Sequence, residues 1–170
     1  MNTVQELTQI FAQPLTYVSV GEFNSLTLGF GPISFYCEKS KTLLVDIELC
    51  TYHKSWRIIH KNKIYVSGLN LSGELKIQKK IDVLIGAEFV SLRSLTPFDI
   101  EIESSSGFVI QLIALPNGID KELVHVVSRK KDIVTTFYPG KGWKTGPYSS
   151  RQTRENSLSC RLIKDLFVTS

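Results

Sequence analysis

The alternation of apolar and polar positions predicts a chain built mostly from β-strands. One pattern occurs twice, from Pro32 to Val66 and again from Pro97 to Ile133. In each copy an alternating strand, a polar turn, a strongly apolar strand and a further strand follow one another, as in an antiparallel β-meander. We therefore predict two pseudo-repeated halves, at about residues 15–68 and 86–145, within one domain that spans residues 1–170.

Short amphipathic helices accompany the predicted strands. A capping box at Thr3 and Glu6 begins one helix, which Pro14 ends. A second helix is predicted over residues 74–85, with Gly86 at its C-terminal end. The fold class is therefore α+β, dominated by antiparallel sheet, with two or three short helices.

The hairpin predicted from Phe98 to Leu115 has two unlike strands. Its first strand carries the acidic residues Asp99, Glu101 and Glu103 at every second position, which predicts a solvated face. Its second strand is apolar on both faces and therefore predicts a central strand that is covered on both sides.

The C-terminal part of the chain follows a different pattern. Residues 139–148 are rich in glycine and proline and predict a loop. Residues 146–170 form a basic tail, in which the apolar positions from Leu158 to Phe167 predict a short closing helix.

Composition places the chain among ordinary globular proteins, with 42% hydrophobic and 21% charged residues. No apolar run is long enough to span a membrane, and the N-terminus lacks the pattern of a secretory signal, so we expect a cytoplasmic protein. The cysteines Cys37, Cys50 and Cys160 are expected to be reduced thiols, because Cys50 would lie far along the hairpin from Cys37.

The sequence contains no recognisable catalytic set. Trp143 stands between Gly142 and Lys144, so the order needed for a phosphate-binding loop is absent. The three histidines show no zinc-binding spacing with one another or with the cysteines, and there is no nucleophile elbow. We therefore expect no enzyme activity, no metal and no cofactor.

A cluster of aromatic and basic residues near the C-terminus is the candidate binding site. It comprises Trp143, Tyr148, Lys141, Lys144, Arg151 and Arg154. Aromatic and cationic side chains on a loop are typical of an interface hot spot, and they can equally stack on a nucleic-acid base. A third interpretation is that Trp143 folds back onto the edge of the sheet.

Several short motifs follow one another in a fixed order over residues 26–145. They are Gly29-Phe30-Gly31, Leu43 to Leu49, Ser55-Trp56-Arg57-Ile58, Ser67-Gly68, Asp82-x-Leu84-x-Gly86, Asp99-Ile100-Glu101-Ile102, Gly107 and Gly142-Trp143. The series resembles a bacterial family of small uncharacterised β-rich proteins that are found beside polymorphic toxins and are taken to include immunity proteins. The resemblance implies a protein that neutralises a partner toxin by occluding it, and it carries over no catalytic residue.

Two functional hypotheses follow. The first is a protein-binding, immunity-type protein, for which the resemblance implies a toxin as the partner. The alternative is a nucleic-acid-associated module that uses the basic tail, for which affinity would fall steeply with salt. The formal net charge of +4 is compatible with both hypotheses, and the oligomeric state stays open.

Overall fold

The computed structural model describes residues 3–37, 42–51, 54–69, 73–115, 121–149 and 160–162. Within these ranges the chain forms a seven-stranded sheet, a five-stranded sheet and two α-helices. All strand pairs are antiparallel. The predicted α+β class with mostly antiparallel sheet is confirmed.

The two helices and the strands of each sheet have the following bounds. The helices are α1 (Thr3–Ile10) and α2 (Glu74–Ile81), and α2 continues into a 3-10 turn at Asp82–Leu84. The first sheet contains β1 (Leu15–Val20), β2 (Leu26–Cys37), β3 (Thr42–Thr51), β9 (Val124–Ser128), β10 (Ile133–Tyr138), β11 (Gly142–Pro147) and β12 (Cys160–Leu162). The second sheet contains β4 (Trp56–His60), β5 (Lys63–Ser67), β6 (Phe89–Ser94), β7 (Ile100–Ser104) and β8 (Phe108–Leu112).

Each sheet combines strands from both parts of the chain. The first sheet has the order β1-β2-β3-β9-β10-β11, with β12 beside β2, and the second has the order β5-β4-β8-β7-β6. The two orders correspond when each of β1–β5 is exchanged with the strand five places along the chain, so that β1 exchanges with β6 and β4 with β9. The order β1-β2-β3-β9-β10 of the first sheet then becomes β6-β7-β8-β4-β5, which is the order of the second sheet starting from β6. The two strand orders are thus related, while the repeat inferred from the sequence stays a prediction.

The helices cover edge strands of opposite sheets: α1 packs on β6, and α2 packs on β1. The Gln78 side chain of α2 both accepts and donates a hydrogen bond at the free edge of β1. Its Oε1 accepts the Val20 N–H at 2.9 Å, and its Nε2 donates to the Val18 carbonyl at 3.0 Å. Because unpaired edge groups invite association with other chains, this side chain takes the place of a neighbouring strand.

One hydrophobic core joins the inner faces of both sheets and the apolar faces of both helices. The Phe30 ring of the first sheet lies 4.9 Å from Phe11, which follows α1, and 5.4 Å from Phe89 of the second sheet. Trp56 is almost fully buried, and its Nε1 donates to the Asn24 carbonyl at 2.7 Å. Burial of each such side chain contributes on the order of 1.5–3 kcal/mol.

The C-terminal predictions need two corrections. Gly142–Pro147 forms the edge strand β11 rather than part of a loop, and it pairs with β10 along its length. Glycine and proline are tolerated there because an edge strand leaves half of its backbone groups unpaired. Cys160–Leu162 forms β12 rather than a helix, with Cys160 across from Cys37 in the backbone register; the rest of the predicted closing helix lies outside the described residues.

Two of the predicted strands differ from the structure in detail. β2 runs from Leu26 to Cys37 as one long strand with register shifts on both sides of Ile33, whereas the repeat pattern predicted a strand that begins after Pro32. β8 is central, as predicted, between β4 and β7. Only one of its faces is buried, because Val109 and Gln111 on the other face remain half-exposed.

Candidate binding surface

The structure places four of the six residues in the sequence-predicted cluster on or just beside β11. Trp143 lies on the inner face, with its ring 5.2 Å from that of Phe137, and it packs against the core. Lys144 is the next residue and therefore lies on the opposite face, where its Nζ is 5.3 Å from the Tyr138 ring. This arrangement separates Trp143 from Lys144 and matches the interpretation in which the tryptophan folds back onto the sheet.

The remaining members of the cluster contribute less to a common surface. Lys141 is exposed, and Tyr148 is half-buried beyond the end of β11, with its backbone N–H bonded to the Asp132 carbonyl at 3.0 Å. Arg151 and Arg154 lie outside the described residues. The described part of the cluster therefore presents exposed lysines and a half-buried tyrosine, without an exposed tryptophan.

A different surface carries the most exposed aromatic residue in the described chain. The Phe23 side chain is 80% exposed, although its loop lies directly beside the core residue Trp56. Phe23 and Asn24 both have left-handed backbones, with φ of 57° and 55°. This conformation costs a non-glycine residue on the order of 1 kcal/mol or more, so the surrounding structure must impose it.

Hydrogen bonds of Asn24 hold this loop in place. Its Nδ2 donates to the Gly68 carbonyl at 2.8 Å, and its own carbonyl accepts from the Trp56 indole. The Gly21 N–H closes the loop on the Ser25 carbonyl at 2.9 Å. The loop therefore presents Phe23 to solvent from a fixed backbone rather than from a free one.

Two further exposed leucines lie on segments that are hydrogen-bonded to this loop or to the strand before it. Leu69 is 56% exposed and follows Gly68, the partner of Asn24. Leu75 is 81% exposed in the first turn of α2, one turn before the glutamine that bonds to the end of β1. We call Phe23, Leu69 and Leu75 the anchor patch.

Exposed lysines lie on the segments next to the anchor-patch leucines. The Lys54 backbone lies beside Gly68, and Lys76 and Lys79 follow Leu75 on α2; all three lysines are exposed. Over residues 54–69 and 73–81 the chain has seven lysines and arginines and one glutamate. Sequence reasoning noted the lysines of α2 but assigned the functional charge to the tail, because periodicity alone does not show which apolar residues the fold leaves exposed.

The outer face of the first sheet contains a buried polar network. The Tyr17 hydroxyl donates to Glu48, and Arg129 forms an ion pair with the other oxygen of Glu48 and donates to the Val45 carbonyl at 2.6 Å. The Arg129 and Glu48 side chains are only 7% and 9% exposed. The network links β1, β3 and the end of β9, so its primary role is structural.

Burial and charge shift the pKa values in this network. Burial raises the pKa of Tyr17 far above its ordinary value, and the Glu48 carboxylate raises it further. For Arg129, burial lowers the pKa, but the attraction and the hydrogen bond of Glu48 outweigh burial, so its pKa is raised. Tyr17 therefore stays neutral and Arg129 stays charged.

A cysteine and a histidine lie beside this network on neighbouring strands, so they are a candidate pair for nucleophilic chemistry. Cys50 on β3 is across from His125 on β9, two residues from Glu48 on the same face. A nucleophilic pair needs a third group that orients the imidazole. Both oxygens of Glu48 are already bonded to Tyr17 and Arg129, so Glu48 does not supply that group.

A polar row crosses the outer face of the second sheet. Arg57 Nε donates to Gln111 Oε1 at 2.6 Å, and Gln111 Nε2 donates to Glu101 Oε2 at 2.7 Å. Arg93 bonds to the other oxygen of Glu101. Burial raises the pKa of Glu101, but the hydrogen bonds of Gln111 and Arg93 outweigh it and the pKa is lowered. The acidic strand is therefore not uniformly solvated, because Glu101 is buried in this row.

Comparisons with known proteins identify no family. No protein-family model, no curated protein and no solved structure matches the chain. In the part of the chain that the structure describes, no group of three or more His, Cys, Asp or Glu residues has a geometry that could hold a metal ion. No helix within the described ranges has both the length and the apolar character required to cross a membrane.

Proposed function

We propose that this chain is a non-catalytic, immunity-type binding protein that occludes an acidic partner protein through the anchor patch. The proposal rests on the exposure of the Phe23 side chain. Hydrogen bonds of the neighbouring Asn24 hold the Phe23 backbone in a strained, left-handed conformation. Strain retained at an exposed position is typical of functional sites. The sequence resemblance to immunity-type proteins supports the same role.

The chemistry of the surface defines the partner. Aromatic and aliphatic side chains at the centre of an interface supply most of the binding energy, and a charged rim sets the rate and the specificity of association. In this protein the centre is Phe23, Leu69 and Leu75, and the rim is lysine. The matching partner surface therefore has an apolar pocket with carboxylates around it.

The test is capture of a stoichiometric protein partner from native lysate by the tagged chain. The Phe23→Asn variant should lose the partner, because it removes the aromatic ring. A Val90→Thr variant, which changes another exposed apolar side chain on the far edge of the second sheet, should retain it. Capture of no protein, or equal capture by wild type and Phe23→Asn, contradicts the proposal.

Nucleic-acid binding is the second candidate function. It is favoured by the excess of lysine and arginine over residues 54–81 and by Tyr65, an exposed ring with Lys80 Nζ 6.0 Å from its centre. The basic tail, with Arg151 and Arg154, would add phosphate contacts. This function requires binding of a single-stranded oligonucleotide at about 50 mM salt that weakens steeply as salt is raised. Absence of binding at that salt concentration excludes it.

A further inference from the structure

A groove separates α1 from the inner face of the first sheet. Its volume is about 520 Å³, within the range of small-molecule sites. One wall is the polar flank of α1 and the turn after it, with Glu6, Gln9 and Gln13. The floor is the corner of the sheet where β9, β10 and β11 run side by side. The groove lies apart from the anchor patch, which is formed at α2.

The floor carries hydroxyl groups on the inner face of the sheet, which elsewhere packs against the core. Thr135 and Thr145 are paired across β10 and β11, and Ser128 lies across from Ile133, two residues along β9 from the partner of Thr135. Ser128 and Thr135 are only 5% and 6% exposed. They are polar residues on a face whose other residues, such as Phe137, belong to the hydrophobic core. Buried hydroxyls on such a face need a polar partner, because desolvation without hydrogen bonds is unfavourable.

Each of these hydroxyls has one hydrogen-bond partner among the residues that the structure describes. The Thr135 and Thr145 hydroxyls lie 3.1 Å apart, so one hydrogen bond is shared between the two groups. Ser128 Oγ is 3.5 Å from Asp46 Oδ1, at the outer limit of a hydrogen bond. Each hydroxyl can donate once and accept twice, so the floor keeps unused capacity of both kinds.

The surrounding side chains restrict the ligand class. The carboxylates of Glu6 and Asp46 disfavour an anion, and Lys131 offsets part of their negative charge. Amides and hydroxyls that both donate and accept suit a neutral ligand with many hydroxyl groups. Apolar side chains in the lining, including Ile47 and Ile133, offer contacts to C–H groups.

We propose that this groove binds a short neutral saccharide or polyol, with the Thr135, Thr145 and Ser128 hydroxyls as its floor. The carboxylates and amides along the groove would accept and donate hydrogen bonds to the outer hydroxyls of the ligand. Saccharide binding in the groove does not involve the residues of the anchor patch. Its test is therefore separate from the test of the proposed immunity-type function.

Nuclear magnetic resonance titration of the full chain tests the assignment. Maltose, lactose and sucrose are the probes, each taken to about 10 mM, which is about tenfold above a millimolar dissociation constant. At least one probe should shift the backbone amides of Thr135 and Thr145. Spermidine and citrate, a polycation and an anion, should leave both amides unchanged.

Matched variants on one strand locate the site. Thr135→Val keeps the shape of the side chain and removes one hydroxyl, so binding should weaken about two- to tenfold, the range for one neutral hydrogen bond. Thr136→Val changes the opposite face of the same strand and should bind as wild type does. No shift with any of the three saccharides, a stronger shift with spermidine or citrate, or equal weakening by both variants overturns the proposal.

Discussion

Replacement of Phe23 by asparagine should stabilise the fold while it abolishes partner capture. Asparagine tolerates the left-handed backbone region better than phenylalanine, because its short side chain can bond locally to the backbone. Phe23 has φ of 57° and a side chain that is mostly in solvent. The substitution therefore relieves backbone strain and removes little buried surface.

The expected free-energy change follows from two opposing terms. A fully buried phenylalanine contributes about 1.5–3 kcal/mol, so a side chain that is one-fifth buried contributes roughly 0.3–0.6 kcal/mol. The left-handed backbone costs about 1–2 kcal/mol for an ordinary residue, most of which asparagine recovers. The free energy of unfolding should rise by about 0.5–1 kcal/mol, which corresponds to a higher melting temperature by roughly 1–4 °C for a chain of this size.

Urea unfolding and thermal melts of wild type, Phe23→Asn and Phe23→Ala separate the two terms. The alanine variant also removes the ring but keeps a side chain with no special tolerance of the left-handed region, so it should be slightly less stable than wild type. Both variants should lose partner capture. A loss of more than about 1 kcal/mol in the asparagine variant would show that Phe23 is part of the core and refute this account of the loop.

The remaining predictions concern the core of the fold. Arg129→Leu leaves the Glu48 carboxylate buried and unpaired, so the free energy of unfolding should fall by about 3–5 kcal/mol; a loss below 1 kcal/mol would contradict a buried ion pair. Because the pKa of Tyr17 is raised in the folded state, its contribution is complete below the unfolded value near 10 and is lost as pH rises above it. Urea unfolding from pH 8 to 11 should therefore show a smaller loss of unfolding free energy in Tyr17→Phe than in wild type. Equal dependence of the unfolding free energy on pH in the two proteins would refute the raised pKa of Tyr17. Thiol titration of the denatured, unreduced chain should count three thiols; a count of one would point to a disulfide, to be sought first between Cys37 and Cys160, which are paired in the backbone register. Fragments divided between β5 and α2 should be unfolded alone and assemble when mixed, because each sheet needs strands from both; a folded single fragment would contradict this.

Local sequence signals predicted much of the fold. Thr3 and Glu6 correctly marked the start of α1. The chain around Lys61 and Asn62, which have positive φ, forms the tight turn between β4 and β5. The apolar run after Phe108 correctly indicated a central strand. These features depend on residues that are close in the chain, so periodicity and turn chemistry suffice to identify them.

The candidate surface depended on contacts that no local pattern contains. The residues around Phe23 do not show whether its ring is buried, because the loop is held by the bond between Asn24 and Gly68, 44 positions away along the chain. In the same way, the segment from Gly142 to Pro147 forms a strand because β10 pairs with it on one side, while no described strand lies on its other side that would need the missing proline N–H. Long-range pairing therefore overrode the local preference at the positions where sequence reasoning was wrong.

The two proposed sites lie on the helices in similar ways. Each helix covers an edge strand of the opposite sheet with its apolar face, α1 on β6 and α2 on β1, and this leaves the polar flank of each helix free. On α1 that flank carries carboxylate and amide groups over a floor of hydroxyls, which suits a small polyhydroxylated ligand. On α2 it carries lysines beside Leu75, which suits an acidic protein surface. Because the outer residues of the helices take no part in the core, the two proposed sites can differ in chemistry without a change in fold.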